Sequence, residues 1–379
     1  MKFLLNTPLI SNLEKKYVND VLKSSWLSIN GKHTKIFENK FKKFIGRKHC
    51  IAVQSGTAAI HLATKALNIK FGEKIIVPNY TCVSNISATK QSGLIPILVD
   101  IEEDTLGLDF KKVKIAVEKY KPKALHLIHI YGFPARDTKK IVNFCKKNKI
   151  KIIEDCSESL GAKIKKKKIG NFGDISIFSV RSEKMIGVGE GGIILTNNKK
   201  LFKKIYFYAS RSAPFRSKKD PYWKKYYSKG EGYNYLMPHL LGAVGRAQIE
   251  KFEKSILKKK IEIGMKYRAI FKSKYYDFTQ KIIKSNYPVF WLNSIKFKSL
   301  SFAKICKIGE NLSKQGIEVR SGFWPLSKLP GFNSIKADNM KNSTNIFNKI
   351  LVLPSNINLS SNDLTTIFVA LNKTIEKNK

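Results

Sequence analysis

The stretch Gly173-Asp174-Ile175-Ser176-Ile177-Phe178-Ser179-Val180-Arg181-Ser182-Glu183-Lys184-Met185-Ile186-Gly187-Val188-Gly189-Glu190-Gly191-Gly192 decides how the rest of the chain is read. The apolar run Ile175–Phe178 predicts a buried strand that delivers Ser179. A loop then presents one lysine, Lys184, followed five residues on by a Gly-Glu-Gly-Gly turn and a second apolar run, Gly192–Thr196. Among sixty-three lysines no single one stands out by itself. The strand, loop and glycine frame is what singles out Lys184. An amine presented this way can form a Schiff base with an aldehyde, be released when substrate arrives, and then shuttle the substrate's proton.

Working outward, further short apolar runs predict strands at His49–Val53, Lys74–Val77, Ile95–Val99, Ala124–Ile130 and Lys151–Asp155. Between most of them the apolar residues take helical spacing, as in Ala58–Leu67, Val83–Gln91 and Thr138–Lys147. Strand–helix alternation of this kind predicts an α/β fold, with a mostly parallel seven-stranded sheet covered by helices on both faces. After about residue 240 the texture changes. A long helical pattern (Leu240 to about Phe271) leads to strand-like pieces around Val289–Leu292 and Gly316–Val319, and to a last helix near Asn362–Lys373. The expected division is a large domain, 1–240, and a smaller C-terminal α/β domain, 241–379, joined by the long helix. Ser210–Gly232, rich in Lys, Tyr, Ser and Pro, reads as a long surface loop, a type often functional.

A chain of 379 residues with 43% apolar content can bury a core of that size. No apolar run approaches a membrane span, and Met1–Asn6 turns polar too quickly for a signal peptide. Five cysteines without a Cys-x-x-Cys pair suggest neither a disulfide framework nor a zinc site, so a cytoplasmic location and no metal are expected. The net charge of +43 raises the possibility of nucleic-acid or membrane binding. Only eight of the cationic residues are Arg, however, and readers of phosphates and base edges lean on its planar fork. Dispersed lysines read instead as solvated helix faces. The field they create would still attract a polyanionic substrate such as a nucleotide diphosphate.

In open parallel sheets ligands bind beyond the carboxyl ends of the strands. Those ends carry Gln54-Ser55-Gly56-Thr57, Pro78-Asn79-Tyr80-Thr81, Tyr131-Gly132, Asp155-Cys156-Ser157-Glu158, and Ser179 leading to Lys184. Ser55-Gly56-Thr57 opens a helix and can cradle a phosphate on exposed N–H groups, though it equally describes an ordinary Ser/Thr cap. Asp155 ends an apolar strand, where a carboxylate is costly unless paired. A protonated pyridine nitrogen would be a partner; capping of the next turn is the plainer alternative.

In this order the motifs resemble the DegT/StrS family of nucleotide-sugar aminotransferases, which depend on pyridoxal 5′-phosphate (PLP) and have the type I aminotransferase fold. The resemblance covers nearly the whole chain, from Trp26-Leu27-Ser28 with Gly31 and Phe37-Glu38, through Ser55–Ala59, Asp100, His129, Tyr131-Gly132 and Glu154–Glu158, to Gly232–Tyr235 and Arg320 with Phe323–Leu326. It implies that Lys184 attaches PLP and acts as acid and base, and that Asp155 pairs with the pyridine nitrogen. Glu158 would lie by the ring, where many relatives have Gln. Gly56, Thr57, Ser179 and, from the neighbouring subunit of a homodimer, Asn234 would hold the phosphate. Trp26, Ser28, Tyr80, His129, Arg320 and Trp324 are the implied substrate contacts.

The sequence departs from the family pattern at three places. Cys82 stands where an aromatic residue usually faces the ring, Leu236 where an Arg usually follows the Asn, and Val180–Glu183 replaces the commoner aromatic-Gly-Asn type. The implied reaction moves an amino group from glutamate to C4 of a nucleotide-linked 4-keto-6-deoxy sugar, GDP-linked, for surface polysaccharide. A UDP- or dTDP-linked sugar, a sugar dehydratase in which His replaces the lysine, and a basic nucleic-acid-binding or regulatory protein on the same fold are the alternatives. Retention of Lys184 favours transamination over dehydration.

Overall fold

The computed structural model describes residues 1–213, 219, 221–224, 226–332, 335, 337 and 339–378. Seven short strands form its central sheet: β1 (His49–Val53), β2 (Lys74–Pro78), β3 (Ile95–Val99), β4 (Ala124–Ile128), β5 (Lys151–Asp155), β6 (Ile175–Ser179) and β7 (Gly192–Thr196). Their order is β1-β7-β6-β5-β4-β2-β3. Each predicted strand is present within two residues. The strands are buried on nearly every position, as a sheet covered on both faces requires.

Only β7 runs against its neighbours, pairing antiparallel with both β6 and β1. The reason is local. Parallel neighbours are joined by a crossover, usually through a helix, whereas residues 180–191 between β6 and β7 hold no helix and turn the chain back on itself. That loop keeps Lys184 at the carboxyl end of the sheet. Two glycines make it possible. Gly189 has φ +106°, a conformation side chains resist, and a Cβ on Gly192 would lie 2.4 Å from the Ser55 carbonyl oxygen.

The long helix is present with one irregularity: His239–Lys251 and Lys258–Ile270 are α-helical, and Phe252–Leu257 between them is a π turn. Beyond it a four-stranded antiparallel sheet holds β8 (Tyr276–Phe278), β9 (Asn293–Phe297), β10 (Arg320–Ser321) and β11 (Ile350–Leu353), in the order β8-β9-β11-β10. Two strand expectations are corrected here. Val289–Leu292 is buried loop, because Phe290 takes φ +50° and breaks extended pairing; the strand starts at the polar Asn293. Gly316 takes φ +80° as a turn, and pairing with β11 begins only at Arg320.

The last helix, Ser361–Lys377, is longer than expected and opens on a Ser360/Asp363 capping box. The first residues cross over to this smaller sheet: Phe3 bridges Ile317 in parallel, and Ser355 donates to the Leu5 carbonyl at 2.7 Å. Of the expected surface loop, residues 214–218, 220 and 225 lie outside the described residues. Among the described residues no helix is long and apolar enough to cross a membrane.

Candidate active site

A cavity of about 430 Å³ opens where the carboxyl ends of the central strands meet the smaller sheet. The segments that follow the central strands contribute Gly56, Thr57, Cys82, Asp155, Glu158, Ser179 and Lys184 to its walls, and the other side contributes Leu5, Trp291, Arg320 and Phe323. A concave site of this size with a few convergent polar groups is the usual form of a small-molecule site.

Lys184 stands at its centre. The ammonium nitrogen lies 3.3 Å from Glu158 Oε1 and 3.7 Å from the centroid of the Trp291 indole, an ion pair backed by a cation–π contact. Glu158 accepts the Tyr131 N–H on its other oxygen at 2.9 Å. Burial pushes the Glu158 carboxyl above its ordinary range, with Lys184 and the Tyr131 N–H pulling against that shift. The lysine's loop is tied from outside. Its neighbour Glu183 offers a backbone carbonyl that accepts from Trp291 Nε1 at 2.6 Å and from Asn6 Nδ2 at 2.7 Å.

The two carboxylates ending β5 face opposite sides of the sheet, as strand alternation dictates. Glu154 points away from the cavity and is fully buried. Burial alone would raise its pKa, but His129 and the N–H groups of Gly170 and Gly173 hold it below the ordinary carboxylate range. Asp155 points into the cavity, where it accepts from Asn85 Nδ2 at 3.0 Å and from the Ser157 N–H at 3.0 Å. Among the described residues it makes no ion pair. A carboxylate this buried, with hydrogen bonds but no counter-charge, suits a cationic ring nitrogen in the cavity.

Ser55 answers both readings of its motif at once. Its hydroxyl caps the helix Gly56–Ala66 by accepting the Ala58 N–H, which leaves the N–H groups of Gly56 and Thr57, the first two helical residues, without intrahelical partners. Those donors and the positive helix end face the cavity. The cradle is as tight as glycine allows, since a Cβ on Gly56 would sit 3.1 Å from Ser179 Cβ and 3.2 Å from its hydroxyl. Thr57 Oγ1 donates to Ser84 Oγ at 3.0 Å, and Cys82 Sγ lies 3.4 Å from the same oxygen. A phosphate fits at the helix start, a ring nitrogen at Asp155 and an aldehyde at Lys184, which is the donor set PLP needs.

The other expected contacts fall elsewhere. Tyr80 and His129 do not meet the expectation of touching substrate: both are fully buried behind the cavity wall. Tyr80 OH accepts the Phe323 N–H at 3.2 Å and lies 3.2 Å from Tyr131 OH. His129 Nδ1 accepts the Ala135 N–H, so its Nε2–H faces Glu154 at 3.4 Å and the ring braces the sheet. Trp324 packs on Phe347 with centroids 4.3 Å apart, outside the cavity. Trp26 and Ser28 lie on an exposed segment whose carbonyls accept from His239, Trp26 O from Nδ1–H and Ser28 O from N–H. Asn234 is exposed and does not line the cavity of its own chain.

Arg320 does line the cavity, with Nη2 donating to Glu318 at 3.0 Å. Sequence reading missed Asn85, which holds Asp155, and Trp291, which covers Lys184. An Asn in the first turn of the helix Ser84–Gln91 that follows β2 is a legible signal for the first; nothing local to Trp291 points to the second.

A sheet of this order, with a lysine on the β6–β7 loop, a buried aspartate ending β5 and a bare helix start after β1, defines a PLP-dependent aminotransferase. The family follows from the sequence as a whole. The chain belongs to the DegT/DnrJ/EryC1/StrS aminotransferase family, whose pattern matches residues 8–372. It is 33% identical over 334 residues to a GDP-perosamine synthase of Escherichia coli O157:H7, covering 88% of each chain. It is likewise 33% identical over 331 residues, 86% of each chain, to the GDP-perosamine synthase of Vibrio cholerae. Among solved structures, PseC of Helicobacter pylori, an aminotransferase involved in the biosynthesis of pseudoaminic acid, superposes over 100% of both chains with a TM-score of 0.89 at 25% identity.

Proposed function

We propose that the amino acceptor is a nucleotide-linked 4-keto-6-deoxyhexose, GDP-linked and aminated at C4, with glutamate as donor, in a cytoplasmic step toward surface polysaccharide. The observation that carries the reading is the convergence of Lys184, Asp155 and the bare N–H groups of Gly56 and Thr57 in one cavity with Arg320 on its wall. Similarity over most of the chain to two GDP-perosamine synthases supports the choice of sugar.

PLP, when bound, supplies an electron sink that stabilises the carbanion formed next to the reacting amine. The chain's own residues supply the rest. Lys184 attaches the cofactor and moves the proton. Asp155 would hold the ring nitrogen in its protonated form, and Glu158 pairs with the Lys184 ammonium at 3.3 Å when the lysine is free. Gly56, Thr57 and Ser179 hold the phosphate, joined across a homodimer interface by Asn234 of the neighbouring subunit. Cys82, on the cavity wall, would take the position facing the ring.

Incubating the protein with PLP, glutamate and a panel of GDP-, UDP- and dTDP-linked 4-keto sugars should give aminated product, followed by mass spectrometry, fastest with the GDP-linked one. A clear preference for another nucleotide would overturn the GDP assignment. Loss of water without gain of nitrogen would identify a dehydratase.

Arg320 tests the substrate side separately. A guanidinium gives two-point, charge-assisted bonds to a diphosphate, and bonds to charged groups contribute about 1.5–3 kcal/mol. Arg320→Ala is therefore expected to raise KM for the sugar nucleotide roughly ten-fold or more, while the half-reaction with glutamate stays unchanged. Equal losses in both half-reactions would mean instead that the change damages the fold or the cofactor site.

A further inference from the structure

Lys260 is 1% exposed on the long helix, and no carboxylate partner is found for it among the described residues. Its three N–H groups go instead to three neutral oxygens on separate segments: Asn6 Oδ1 at 2.8 Å, the Trp291 carbonyl at 3.0 Å and the Ser355 carbonyl. Burying a charge this deeply is costly, and burial lowers the amine's pKa to about 7. Two of its three partners are the residues that hold the active-site loop. Asn6 Nδ2 and Trp291 Nε1 both donate to the Glu183 carbonyl, and the Trp291 ring lies over Lys184 Nζ.

The direction of the Asn6 amide matters. The Glu183 carbonyl can only accept, so the NH₂ group must face it and the amide oxygen is turned toward Lys260, whose N–H donates to it. Lys260 and the Glu183 carbonyl thereby clamp Asn6 between them, and Asn6 with Trp291 holds the loop that presents Lys184.

Resting on the role given to Lys184, we propose that Lys260 is a positioning residue for the reaction, holding the Lys184 loop in register through Asn6 and Trp291. It touches neither substrate nor cofactor. Two variants test it. Lys260→Met removes the donors and keeps an apolar stem. Asn6→Asp gives Lys260 a counter-charge, which by itself favours the fold, but sets a carboxylate oxygen against the Glu183 carbonyl, so global stability should hold while the Lys184 loop loosens.

Amide exchange of the cofactor-free protein, read by mass spectrometry, should speed up about ten-fold in residues 180–191 in both variants and stay unchanged in the central strands. Borohydride capture of PLP at Lys184 should slow by about ten- to a hundred-fold, since misplacing a reacting group by about 1 Å can cost about 10²-fold. Unchanged exchange and capture in the two variants would overturn the proposal, as would faster exchange spread evenly over the chain. If Lys260→Met does not fold, the Asn6→Asp result decides alone. Capture on a different lysine in the parent protein would remove the Lys184 assignment itself, an outcome separate from any change in rate.

Discussion

Lys184→Ala is expected to fold and to bind PLP, yet to lose transamination by at least about a thousand-fold. The lysine does two jobs that no neighbour can take over, covalent attachment and proton transfer, and positioned acid–base groups alone contribute about 10²–10⁴-fold. The check is direct. The parent protein should be yellow, and borohydride should fix its label on the peptide containing Lys184; the variant should carry no borohydride-fixed label. Retained turnover in the variant, or label recovered on another lysine, would sink the assignment.

The same variant reports on assembly. Asn234 is exposed and away from its own chain's cavity, so it can reach a phosphate only across a subunit interface. Mixing Lys184→Ala with Asn234→Ala should restore part of the activity, because hybrid dimers carry one intact site. No recovery on mixing, or light scattering that shows a fully active monomer, would refute a shared site.

Asp155→Ala is expected to have the next largest effect. The carboxylate is 4% exposed, fixed by Asn85 and Ser157, and lacks a cation among the described residues. With PLP bound, it would form a buried, hydrogen-bonded charge pair with the ring nitrogen. Truncating one partner of such a pair costs about 2–5 kcal/mol. At about 1.4 kcal/mol per factor of ten, transamination should fall between about thirty-fold and a few thousand-fold. The loss should sit in the proton-transfer step, where the electron sink is needed, and both half-reactions should slow together. Borohydride capture at Lys184 should persist. A variant that keeps its rate would leave Asp155 as a turn-capping residue and nothing more.

Much of this is legible in the sequence. The strands of the central sheet were found because short β-branched runs between helical patterns have few other readings, and buried parallel strands tolerate little else. Lys184, Asp155 and Gly56-Thr57 are legible as candidates for a related reason: each ends a strand or lies within five residues of a strand's carboxyl end, and strand ends in this class of sheet converge on one rim. In the smaller sheet the same pattern logic failed. A positive-φ Phe290 inside an apolar run and a strand that opens on Asn293 break the rule that burial and extension coincide.

What the sequence determined by itself was the chemistry's parts and their order: an amine, a carboxylate and a phosphate cradle, each tied to a strand end by local rules. Tertiary structure alone decided which of the flagged residues face the cavity and which stand behind it. Tyr80 and His129 sit at strand ends like the rest, but their side chains turn into the core, where hydrogen bonds to Phe323 and Glu154 satisfy them. Tertiary structure also brought in Trp291, Asn6 and Lys260, from segments that no local pattern connects to Lys184. The physical reason is that backbone periodicity is written in neighbouring residues. Which polar group answers a buried donor is settled only when distant segments pack, and any oxygen with the right position can serve.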